Sequence, residues 1–324
     1  MPGGSLQSST IGAESCANRA IASFLAAILT LVLATVATPA ATQELEPQRW
    51  RYLPVDTNFV TATYIHLDAD IALDPVLGLT DATSQVDTFA LAYMRTFELF
   101  GTTAQFRILQ PWQSGDWKGS LNGMPVEARR RGLADTELRL AVQLFGAPAL
   151  GSQEYAAFRA THPVHTNGGV ALAVQLPTGE YMDGKLINLG TNQVILRPEI
   201  GIVHDNGRWS FEASGIASFY TRNESYFGQN TLELDPLWFV QADVLYRIRP
   251  DLWIAGGAGY AIGSESTVNG VENDDRRRNV IWGAAAGYSF APWFGVTLKY
   301  IRSENQTEIG TSSNRYIVSV STFW

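Results

Sequence analysis

The chain has a single cysteine, Cys16, and it lies ahead of the first apolar run. With no second thiol there can be no internal disulfide framework, and everything after that run lacks both a thiolate metal site and a thiol nucleophile. Also missing beyond residue 42 is any stretch of ~20 predominantly apolar residues, the length that a membrane-spanning helix requires. Residence in a membrane would therefore have to use strands. Charge is sparse too: 17% of residues are charged and the formal net charge is -8, unlike the basic balance of a nucleic-acid binder. What the chain has in quantity is glycine, 29 residues, and aromatic side chains, 11%.

Residues 1–42 have the layout of a secretory signal peptide. Arg19 supplies the positive charge, Ile21 to Val36 form an apolar run, and Thr38-Pro39-Ala40-Ala41 offers small residues for cleavage. Cys16 would leave with this segment, so the mature chain is expected to be cysteine-free. Residues 43–57 then read as a periplasmic or plug-like segment, and residues 58–324 as one domain.

That domain alternates. In the closing run, Tyr316, Val318, Val320, Thr322 and Trp324 share one face while Arg315, Ser319 and Ser321 share the other, because successive side chains of a strand point to opposite sides. An alternating last strand that ends on an aromatic residue is how bacterial outer-membrane barrels end. The same reading gives about twelve strands, near 58–69, 86–97, 102–112, 133–145, 167–177, 192–203, 208–221, 236–248, 252–263, 279–290, 294–303 and 314–324. The seventh is the clearest: Trp209, Phe211, Ala213, Ala217 and Phe219 face one way, and Arg208, Ser210, Glu212, Ser214 and Ser218 the other. Its aromatics sit at both ends of the apolar face, where lipid meets water.

Connection lengths alternate as well. Leu99-Phe100-Gly101, Asp205-Asn206-Gly207, Pro250-Asp251 and Ala291-Pro292 are short, as periplasmic turns are, with Asn206-Gly207 suited to a tight hairpin. The connections between them, including 113–131 and 264–278, are long and polar, as extracellular loops are. Residues 146–166 are an exception, a long periplasmic connection with a short helix over 152–159 capped by Ser152. The fold class is all-β, a transmembrane antiparallel β-barrel of about 12 strands; a soluble β-sandwich would show shorter strands at regular spacing.

Several runs resemble one family. They are Leu53-Pro54-Val55-Asp56-Thr57-Asn58, Arg95-Thr96-Phe97-Glu98-Leu99-Phe100-Gly101, Leu186-Ile187-Asn188-Leu189-Gly190-Thr191-Asn192 and Asn273-Asp274-Asp275-Arg276. The chain resembles, over nearly all of its mature length, outer-membrane proteins described as transporters of the MetA pathway of phenol degradation. The resemblance implies a bacterial outer-membrane barrel that admits aromatic compounds, and it carries over no site residues.

On the inner face, successive strands present Arg107, Glu137, Arg139, Arg197, Glu199, Glu212, Asp243 and Arg247, most of them near mid-strand. As one belt they would form a constriction whose transverse field selects small solutes. As paired charges that merely fill a narrow lumen they would satisfy one another; the two readings weigh evenly. Ala255, Gly257, Gly259, Ala261, Gly283, Ala285 and Gly287 also turn inward and leave space, which suits an aromatic solute or seats the amino-terminal segment.

Other motifs carry little. Gly257 to Gly263 superficially matches a dinucleotide loop but lies within a strand with no helix after it. His162 and His165 lack an acidic or thiol partner at ligand spacing, so no metal site is assigned. Arg129-Arg130-Arg131 and Arg276-Arg277-Arg278 fall in loops that face either lipopolysaccharide phosphate or solvent, solvent being favoured.

The function expected is a channel for passive uptake of small hydrophobic or aromatic compounds, not an enzyme, with no cofactor. Its expected partners are outer-membrane lipid and lipopolysaccharide, the solute, and the barrel-assembly machinery, with no nucleic acid. The alternatives are an outer-membrane lipid hydrolase or protease, for which only His66 and its neighbour Asp68 near the extracellular rim are available, and a sealed structural barrel.

Overall fold

The computed structural model describes residues 45–72 and 79–324. The signal-peptide reading of residues 1–42 lies outside them. The alternating segments form strands β1 (Asn58–Ala72), β2 (Leu79–Leu99), β3 (Thr102–Leu121), β4 (Met124–Leu133), β5 (Thr136–Phe145), β6 (Val164–Leu176), β7 (Ile195–Asn206) and β8 (Trp209–Tyr220). They continue with β9 (Asn223–Tyr226), β10 (Asn230–Leu234), β11 (Leu237–Arg249), β12 (Leu252–Gly263), β13 (Ser266–Val268), β14 (Val271–Glu272), β15 (Arg277–Ala291), β16 (Phe294–Asn305) and β17 (Gly310–Phe323). No helix among the described residues is long and apolar enough to cross a membrane.

Twelve antiparallel staves close into a barrel. β17 pairs with β1 from Phe59↔Phe323 to Ala72↔Gly310, which leaves no free edge. β4 and β5 share one stave: β4 pairs with the outer half of β3, from Trp112 to Leu121, and β5 with the inner half, from Ala104 to Leu109. The break between them faces Pro111, which has no N–H to give to a ladder.

The faces fall as the alternation predicts. Leu91, Leu140, Ile200, Val240 and Leu298 are exposed on the outside, where lipid rather than water is the neighbour. Outward aromatics gather at the two ends: Trp209 against Tyr246 at 4.6 Å and Tyr288 against Phe290 at 4.8 Å near the short turns, and Tyr300 against Tyr316 at 5.4 Å and Phe219 against Trp238 at 6.3 Å near the long loops.

Four details differ from expectation. Residues 113–131 are not a loop, because β3 and β4 continue through them as a protruding hairpin that turns at Asn122-Gly123. Likewise 264–278 contains β13 and β14, which join β9 and β10 in a small sheet with a core of Tyr226, Leu232 and Val268. The seventh-strand hairpin turns at Gly207-Arg208, one residue later than expected, since Asn206 already pairs with Trp209 and only Gly207 takes a positive φ of 60°. The helix in the long periplasmic connection, α1 (Ser152–Thr161), is capped from Gly151 rather than Ser152; the Glu154 side chain accepts from the Gly151 N–H at 3.2 Å.

These positions set a topology test. Single cysteines replacing Glu127 or Glu272, both exposed on long-loop elements, should label in intact cells with a membrane-impermeant thiol reagent, whereas a cysteine replacing Asp251, in a short turn, should label only after lysis. The reverse pattern would invert the barrel.

Candidate functional site

The described amino-terminal residues run through the lumen. Leu45 is 2% exposed and packs with Ile216, Leu237, Phe239, Ala261, Ile281, Ile301 and Ile317, the apolar inner wall contributed by β8 through β17. Trp50 lies deeper toward the short turns, against Ala141, Ala171 and Val203, and its backbone carbonyl accepts from Asn167 at 2.9 Å and Gln143 at 3.3 Å. Its indole lies across Gly201, where any side chain would collide with the ring. At the periplasmic rim the Tyr52 hydroxyl donates to Pro148 O at 2.6 Å, and Tyr155 of α1 donates to Tyr52 O at 3.0 Å. Burial, with the neighbouring Tyr155, pushes the Tyr52 phenol up to about 12.

The opposite wall is charged, and the segment is tied to it. Arg107 donates to Glu46 and to Glu137, each at 2.9 Å, and Arg197 reaches the other Glu137 oxygen at 2.6 Å. Arg139 donates to Glu199 at 2.9 and 3.0 Å, and Arg49 donates to the same carboxylate at 3.0 Å. Arg49 also pairs with Glu46, and the Arg139 guanidinium lies 5.2 Å from the centre of the Trp50 ring. Burial alone would raise the Glu46 carboxyl, but Arg107 and Arg49 outweigh it and hold the group well below the usual carboxylate range.

This network forms because β6, between β5 and β7, presents only Ala171 and Ala173 at that height. Side chains from the flanking strands meet over them. Arg107 and Arg139 face each other directly across β3 and β5, a repulsive pairing unless carboxylates intervene; Glu46, Glu137 and Glu199 do so.

The eight inner-face candidates thus separate into three groups. Arg107, Glu137, Arg139, Arg197 and Glu199 come together around the amino-terminal segment. Glu212 and Asp243 form a cross-strand carboxylate pair on β8 and β11. Arg247 is not at their height: near the rim it donates to Ser210 at 3.0 Å and pairs with Asp205 at 3.5 Å. Glu46, Arg49 and Trp50 escaped sequence reading. Their one signal was an Arg and Trp-bearing stretch too polar and aromatic for a plain linker.

The small inward residues of β12 and β15 do not leave open space. Asp243 lies across Gly257, Phe239 against Gly259 and Trp253 across Gly287, so these positions are seats for neighbouring side chains. Of the other motifs, Arg129 pairs with Asp116 at 2.9 Å and Arg131 lies 4.9 Å over Trp112. His162 stacks on Phe158 at 4.3 Å. His66 contacts Asp87 at 2.7 Å as well as Asp68 at 3.3 Å, on the outer face of β1 and β2.

A family model described as "Putative MetA-pathway of phenol degradation" matches residues 69–317. The chain belongs to this family. No curated protein matches the sequence. Among solved structures, the COG4313 outer membrane channel from Pseudomonas putida F1 superposes with a TM-score of 0.73 at 19% identity, covering 87% of this chain and 100% of the other. The transport unit of the autotransporter AIDA-I from Escherichia coli superposes with a TM-score of 0.50 at 8% identity, covering 93% and 96%. Family membership, the closed 12-stave barrel and its two aromatic girdles make this an outer-membrane β-barrel.

Proposed function

We propose that this family member is a channel for passive uptake of small hydrophobic or aromatic compounds, with residues 45–57 as its plug and the ion network around Glu199 as the latch. The observation that carries this reading is the divided lumen. One wall is apolar over seven strands and the other charged, and an amphipathic segment lies between them, with Leu45 on the apolar wall and Arg49 on the charged one. A solute that replaces part of that segment meets the same two surfaces. The family's tie to phenol degradation and the channel fold agree with it. On this reading the barrel is not an enzyme, its girdles face outer-membrane lipid, and Arg129 and Arg131 on the protruding hairpin face the lipopolysaccharide layer.

Purified mature protein in planar bilayers should show small, fluctuating conductance. In liposomes it should speed entry of phenol-sized aromatics over sugars of similar mass. No conductance together with no difference in entry between protein-containing and protein-free liposomes would favour a sealed structural barrel.

A further inference from the structure

The connection from β6 to β7, at the long-loop end of the barrel, hangs on one buried carboxylate. Asp135, 5% exposed and next to the start of β5, accepts from the Gly179 N–H at 2.8 Å, the Thr191 N–H at 2.8 Å and the Thr191 hydroxyl at 2.6 Å. Both ends of the loop therefore meet on it. They meet so closely that a side chain at Gly179 or at Gly190 would lie 2.7 Å from the other's backbone. The Gly190 N–H donates to Glu180 O at 3.0 Å and closes the loop above the clamp. At the tip Asp183, Gly184 and Lys185 are exposed, and Leu186 packs on the core of the small sheet of β9, β10, β13 and β14.

The same carboxylate begins a chain of hydrogen bonds that ends at the plug. Asp135 also accepts from Gln175 Nε2 at 2.9 Å, and the Gln175 side-chain oxygen accepts from Arg197. Arg197 donates to Glu137 at 2.6 Å, Arg107 donates to the other Glu137 oxygen at 2.9 Å, and Arg107 also holds Glu46 of the plug at 2.9 Å. Asp135, Gln175, Arg197 and Glu137 are all buried, so no bulk water stands ready to replace a broken link. Gln175 is the narrow point. Its one amide group gives its N–H to the loop's carboxylate and its oxygen to the cation of the wall.

We infer that the β6–β7 loop is an outer control element for the plug and that Gln175 couples the two. Glu137 divides its oxygens between Arg197 and Arg107. When the loop lifts from Asp135, Gln175 is held on one side only and Arg197 is less firmly placed, so Glu137 draws Arg107 away from Glu46. The plug is then easier to release. Coupling is reciprocal, so a seated plug also holds the loop down. The inference rests on the plug reading of residues 45–57 and adds the place from which the plug is controlled.

The test uses the full mature protein in liposomes, with Leu45→Cys placing a thiol where the seated plug is 2% exposed. The readout is the rate at which a membrane-impermeant reagent modifies that thiol, and heat-dependent gel migration checks that each variant is folded. Asp135→Asn, which weakens the clamp, should speed modification about tenfold. In a Gln175→Met background, which removes both hydrogen bonds at similar length, the same change should have less than about a twofold effect. Tyr181→Phe frees the loop from Ser225 O, 3.0 Å away, without touching the chain, and should leave the rate unchanged. Equal acceleration by Asp135→Asn in both backgrounds, or acceleration by Tyr181→Phe, would overturn the coupling. Glu199→Gln separates the two claims: if it speeds modification and Asp135→Asn does not, the coupling fails and the plug stands; if neither does, the plug reading fails.

Discussion

Replacing Glu199 by Gln should unseat the plug and give the largest gain in conductance of any single inner-wall change. Glu199 is 4% exposed and holds Arg49 of the amino-terminal segment and Arg139 of β5 at once. Removing its charge leaves two guanidinium groups buried beside each other, and breaking a buried pair costs ~3–5 kcal/mol, because the remaining charge has lost its partner. The cheapest relief is for Arg49 to leave, since residues 45–57 belong to no strand, whereas Arg139 is fixed in a ladder on both sides. Single-channel recording should show larger, longer openings, and thermal unfolding should show a lower midpoint. Arg49→Met together with Glu199→Gln should recover part of the stability and none of the closure. A lower midpoint with unchanged conductance would show that the network fills the lumen without closing it.

The second large effect belongs to the outer face. Val240 is 58% exposed on β11, between Gly215 of β8 and Tyr260 of β12. An Arg there meets hydrocarbon, and Val240→Arg should cost ~2–4 kcal/mol near the bilayer midplane. Folding titrations in lipid vesicles would measure it. Ser319→Arg supplies the control: Ser319 points inward and is only half-buried, bonded to Thr63 at 3.0 Å, so the new charge reaches the lumen and should cost less. Equal penalties would mean that the faces are reversed.

The barrel was legible because lipid imposes a rule that every residue of a spanning strand must obey. Trp209, Phe211 and Phe219 must be apolar for the same reason that Glu212 on the other face need not be. Where that rule stops, legibility stops with it. Between Gln113 and Arg131 the strands project beyond the lipid, neither face has to be apolar, and the alternation that would mark a strand disappears. Parity gives the inner wall only as a set of inward charges. Which of them meet was not readable, because a contact such as Arg49 to Glu199 joins positions 150 apart in the chain and depends on the small Ala171 and Ala173 lying between. Small inward residues misled in the same way. Ala285 was read as lining free space, but Leu245, Ala255 and Trp253 pack against it, and sequence alone does not say which neighbour's side chain a small residue serves.

The protruding hairpin has a use in engineering. β2 spans 21 residues, ~70 Å of chain at ~3.3 Å per residue, while a tilted strand crosses the hydrocarbon in ~9–11 residues. About half of β2 and β3 therefore stands above the membrane as a stiff mast, and at its tip nothing lies within 4 Å of the position a Gly123 side chain would occupy. A foreign peptide spliced between Asn122 and Gly123 would be carried clear of the cell surface on a ladder already hydrogen-bonded to its base, which makes the barrel a display scaffold whose cargo is remote from both its latch and its lumen.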